Sequence, residues 1–121
     1  MASHKMFSLV GCVVTLCLSL DVAIAAEQSR QVTVTRIHPI GPVRPAGPET
    51  QNILRVYVNP GSWGSSGCRA DAVDISGDDW LLISTFLDAW GKGRTITMYV
   101  DDTLRLVTND TVCRVTTMGI T

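Results

Sequence analysis

Catalysis at neutral pH usually needs a base that titrates there, and past the leader His38 is the only histidine in the chain. It stands directly before Pro39 at the end of a β-branched run, where capping a turn suffices to explain it, and no serine or cysteine motif accompanies it. The carboxylates Asp71, Asp74, Asp78 and Asp79 are dense enough to suggest a calcium site. They lack the Asp-x-Asp-x-Asp-Gly loop and its closing glutamate, and a helix start and solvated strand positions account for them equally well. Asp101-Asp102 reads as a turn, and Asn109-Asp110-Thr111 has the form of a glycosylation acceptor. The chain is therefore expected to be no enzyme and to carry no metal or cofactor. Trp63 lies among Gly61, Ser62, Gly64, Ser65 and Ser66, and two readings fit it. An aromatic face among hydroxyls on a loop suits a sugar, which makes Trp63, Ser65 and Ser66 candidate ligand contacts. Alternatively the indole tucks over the core near Cys68.

The cysteines depend on the leader. Lys5 precedes an almost wholly apolar run from Phe7 to Leu20, and Ala23-Ile24-Ala25 has the small-x-small form of a cleavage site, so 1–26 reads as a signal peptide. The run is about 14 residues, short of the roughly 18 to 20 that span a bilayer, which argues against a retained anchor. Leu9-Val10-Gly11-Cys12 also matches a lipoprotein box, with Cys12 as the lipidated residue. Apolar residues continuing past Cys12 favour the first reading, with the product periplasmic or secreted. A single domain, 27–121, then retains only Cys68 and Cys113, and export to an oxidising compartment predicts a disulfide between them.

The elements that must position these groups follow from pattern. Gln31–Ile37 is rich in β-branched residues and is expected to stop at His38-Pro39, and 41–48 is a Pro/Gly loop. Strands are expected at 52–59, 68–76, 95–100 and 111–120, with Leu104–Val107 as a short strand or a continuation. Between the third and fourth strands, Asp78–Trp90 reads as a helix with a capping-box-like Ser76 and Asp79, ended by Gly91 and Gly93. Its apolar arc is about 180°, against about 100° for an ordinary surface helix, so it either sinks deep into a small core or meets a second surface. The order β-β-β-α-β-β, at this size, fits a five-stranded Greek-key barrel of the OB-fold type plugged by its helix; an open α+β sandwich has the same list.

With 10 Lys+Arg against 11 Asp+Glu, the chain has no basic footprint for nucleic acid and no polybasic membrane patch. Val32-Thr33-Val34-Thr35-Arg36-Ile37-His38, the helix Trp80 to Trp90 with Gly91-Lys92-Gly93, the strand Thr95-Ile96-Thr97-Met98-Tyr99-Val100 and the late Cys113 together resemble the small binding subunits of bacterial toxins of the pertussis, subtilase-cytotoxin and typhoid type. That resemblance implies an OB-fold, a pentameric ring with helices lining the pore, and glycan binding at the outer face. It makes Trp80, Ile83, Leu87 and Trp90 candidate oligomer contacts, and it makes Ser29, which precedes the first strand as the family's glycan-contacting serine does, a candidate ligand residue. The family's aromatic-rich tail and extra cysteines are missing here. The expected function is thus a non-enzymatic exported binding module, glycan-binding and oligomeric; the alternative is a monomeric periplasmic domain that meets another protein.

Overall fold

Runs of Val, Ile and Thr dominate the chain outside one helical stretch, and they become strands. The structure, a computed structural model, describes residues 27–64 and 67–121. These form β1 (Glu27–Val32), β2 (Val34–Ile40), β3 (Ile53–Val58), β4 (Ala72–Ser76), the helix α1 (Trp80–Gly91), β5 (Ile96–Asp101) and β6 (Cys113–Ile120). The segment expected to be a signal peptide, 1–26, lies outside the described residues.

The six strands make one mixed sheet in the order β1-β5-β6-β4-β3-β2. Every contact is antiparallel except β4 with β6, which run parallel through Val73↔Cys113 and Asp74↔Arg114. The architecture is mainly β with one helix, as expected, but the sheet is open, with β1 and β2 as its outer strands, and the strand count is six rather than five. The extra strand arises at Thr33. Its N–H donates to the Asn59 side chain at 2.8 Å while its carbonyl accepts the Asn59 amide at 2.9 Å. Thr33 thereby leaves the ladder and divides one long run into β1, which pairs with β5, and β2, which pairs with β3.

Pro39 does not stop the strand where the sequence suggests. It sits within β2 opposite Leu54, and an edge strand tolerates proline because only one of its sides needs donors. The third strand starts at Ala72 rather than Cys68, because Arg69 sends its amide to the Thr111 carbonyl instead of into a ladder. Leu104–Val107 forms no strand.

Alternation fills the core. Ile96, Met98 and Val100 of β5 point inward with Leu54, Val56 and Val58 of β3, Val73 and Ile75 of β4 and Val115 of β6, and Phe86 and Ala89 of α1 close over them. The disulfide Cys68–Cys113, with Cα atoms 5.3 Å apart, ties the segment leading into β4 to the start of β6 beside the short parallel contact.

α1 starts two residues later than the pattern predicts, and its cap differs. The Ser76 hydroxyl accepts from the Asp78 amide at 3.2 Å, but Asp79 at the N-cap makes no side-chain cap; its carboxylate pairs with the Arg114 guanidinium at 3.0 Å. At the other end the Gly93 amide donates to the Trp90 carbonyl at 3.1 Å, and Gly93 has φ of 67°, a conformation that suits glycine.

Candidate functional site

Trp63 is a core residue, 2% exposed, so the reading that offers its ring to a sugar gives way to the one that tucks it inward. Its indole N–H donates to the Arg69 carbonyl at 3.0 Å, and the Arg30 guanidinium carbon lies 4.6 Å from its ring centroid. Arg30 also donates to the carbonyls of Asn59 and Ala70, clamping the loop ends around the indole. A buried aromatic with a satisfied N–H explains why a tryptophan sits in so small a loop. Ser65 and Ser66 lie outside the described residues.

Ser29 is exposed on β1, and the register gives it neighbours that sequence reading missed. It stands opposite Tyr99 of β5, and Tyr99 stands opposite Thr117 of β6. Directly paired residues share a face, so a hydroxyl, a phenol and a second hydroxyl form one row across three strands. The next row holds Gln31, Thr97 and Gly119. Such a row can donate and accept hydrogen bonds with a polyol while the ring supplies an apolar surface. Alternation in β5 signals that Tyr99 faces outward; its place beside Ser29 depends on pairing with a strand about 70 residues away, which no local pattern encodes.

The helix face is the second surface. Phe86 and Ala89 are buried and Leu82 and Ile83 pack half-buried against the core, whereas Trp80 is 75%, Leu87 44% and Trp90 41% exposed. Trp80, Ile83, Leu87 and Trp90 follow a three-four-three spacing, which places them in one stripe along α1. Phe86 stacks on Trp90 with centroids 6.0 Å apart, so the stripe is anchored to the core at its C-terminal end. Beside it Ile83 and Leu87, with Ile37, Ile40, Ile53 and Leu54, line an apolar cleft of about 230 Å³. Leu81, 76% exposed, lies off the stripe with Leu104 at a second cleft of about 430 Å³.

The four aspartates that spacing gathers are dispersed among four partners. Asp71 is bound by Arg69, Asp78 by the Asn52 amide, Asp79 by Arg114, and Asp74 by Arg55. Asp74 is no solvated strand residue: it is wholly buried, and Arg55 meets it with Nε at 2.8 Å and Nη2 at 2.9 Å, while the same Nη2 reaches Asp110 at 3.1 Å. Burial pushes the Asp74 carboxyl above its ordinary range, with Arg55 opposing; the hydrogen bonds to Asp74 raise the Arg55 guanidinium. Among the described residues, no group of three or more metal-ligating side chains converges. His38 is exposed on β2 and meets the Tyr57 ring edge-on at 5.1 Å.

Comparison with protein-family models, with curated proteins and with solved structures finds no match.

Proposed function

We propose that this chain is an exported, non-enzymatic binding module of the OB-fold type that self-associates through α1 and takes a glycan on the outer face around Ser29. The observation that carries the reading is the stripe of Trp80, Ile83, Leu87 and Trp90, which leaves two tryptophans and a leucine substantially exposed on the sole helix among the described residues. Large apolar side chains in one contiguous strip mark an interaction surface in a domain this small. The OB-fold assignment is supported by the parallel contact of β4 with β6, the helix between β4 and β5, and a first run of chain that serves both sheet edges. A closed ring of copies, as the toxin-subunit resemblance implies, places the helices together and the Ser29 row outward.

Light scattering of the exported protein tests the assembly. A multimer is expected, and a double change of Trp80→Asp and Leu87→Asp returns it to a monomer of unchanged circular dichroism; a wild-type monomer at all concentrations overturns self-association. Glycan-array binding that falls with Ser29→Ala and Tyr99→Ala supports the ligand reading, and folded multimer that captures no glycan refutes it. The second reading, a monomer that docks a different protein, is favoured by Leu81 and Leu104, which widen the apolar surface beyond one helical seam.

A further inference from the structure

On the opposite side of the sheet from α1, β2 and β3 carry a cluster that neither the helix stripe nor the Ser29 row uses. Arg36 stands in register with Tyr57, and its guanidinium carbon lies 4.0 Å from the ring centroid. Stacking holds a guanidinium through its face and spends none of its N–H donors. Arg55 and Arg69 differ in this respect, their forks being engaged by Asp74 and Asp71. Among the described residues Arg36 makes no ion pair and no side-chain hydrogen bond, although it is exposed and permanently charged. The Arg69 guanidinium lies 5.8 Å from the same ring, and His38 meets that ring edge-on. Asp71 is paired with Arg69, so the two charges offset each other and Arg36 is left as the cluster's uncompensated cation. The Tyr57 hydroxyl likewise has no partner among the described residues. In a chain of net charge −1, this concentration of unspent donors is local.

We propose that the outer face of β2 and β3 is a binding site for a phosphate- or sulfate-class oxyanion, held by the Arg36 fork and the Tyr57 hydroxyl, with His38 at its rim. A planar carboxylate has two oxygens, which the Arg36 fork alone satisfies. A tetrahedral oxyanion has further oxygens for additional donors, and the Tyr57 ring that stacks on Arg36 carries a phenol and has the His38 imidazole beside it, 5.1 Å between centroids. The stack fixes the guanidinium before the ligand arrives, so little side-chain entropy is lost on binding. The site lies across β2 and β3 and the Ser29 row across β1, β5 and β6, so it stands independently of the glycan reading.

The test is titration of the exported protein with inorganic sulfate and inorganic phosphate at constant ionic strength, with chloride as the balancing anion, followed by calorimetry and by the Arg36 Nε–H resonance. Saturable binding is expected for at least one anion, with displacement of that resonance. Arg36→Ala weakens it about tenfold, the loss of one charge-assisted contact. Arg36→Lys, which keeps the charge but not the fork, also weakens it, and Tyr57→Phe weakens it while preserving the stack. Arg44→Ala, on the exposed loop, leaves it unchanged. Methyl sulfate and methyl phosphate then assign the ester, and preference for either supports the site. Absence of saturation, equal displacement by chloride, or an Arg36→Ala protein that folds and binds as well as wild type overturns it.

Discussion

A carboxylate with no exposed surface survives at neutral pH only where a cation replaces the water it has lost, and Asp74 has such a cation in Arg55. The ion pair spans adjacent strands in register, and the Nη2 that binds Asp74 also fastens Asp110 from the loop before β6. Arg55→Ala therefore leaves a charge buried without compensation, and a loss of about 3 to 5 kcal/mol is expected in urea unfolding. The two carboxylates respond to acid in opposite senses. Burial acts to raise Asp110, but the Val112 amide at 3.2 Å and the Arg55 guanidinium outweigh it and hold its pKa below the ordinary value. A depressed group contributes stability above its unfolded value of about 3.9 that is lost as pH falls through its folded value. The raised Asp74 does the reverse: its contribution is complete in acid and fades as pH rises. Asp110→Asn should accordingly flatten the acid limb, its urea midpoint falling less than that of wild type below about pH 4. None of this arrangement is visible in the spacing of the aspartates, because each is claimed by a partner 2 to 55 residues away.

At the scale of elements, the strands that alternate were legible and the ones that do not were not. Ile96, Met98 and Val100 announce β5 and Ile53 to Val58 announce β3, since burial of one face repeats every second residue. Glu27 to Gln31 is polar throughout and carries no such signal; it becomes β1 because β5 offers it a ladder. Pro39 misleads for the converse reason, a local rule relaxed by its place at a sheet edge. At Trp63 the flanking glycines and serines suit an exposed ring and a tucked one alike, and the structure takes the second, with Arg30 bonded to the Asn59 and Ala70 carbonyls and lying over the indole. In α1 the broad apolar arc is legible, and the structure divides it into a core side and a solvent side. Phe86→Ala should cost about 3 to 5 kcal/mol by opening a cavity under the helix. Leu81→Ser, at a 76% exposed position, should stay within about 0.5 kcal/mol in the isolated chain. Thermal or urea unfolding of both variants checks the contrast.

For the whole molecule, the sheet is joined across its middle by only two parallel residue pairs between β4 and β6, and the disulfide sits at that seam. It closes a loop with a sequence separation of 45, and replacing Cys68 and Cys113 by serine should lower stability by about 2 to 5 kcal/mol, read from denaturant midpoints. A comparable fraction of the stability of a domain of this size is at stake. The placement of β1 has a kinetic corollary. Its ladder partner, β5, follows it in the chain by the length of most of the domain. High contact order of this kind slows refolding, since the entropy of closing so long a loop is spent before the pairing returns anything. During synthesis, the earliest strand of the sheet thus waits for one of the latest. Until β5 emerges, β1 has no ladder partner, and an unpaired strand edge of this kind is a template for aggregation.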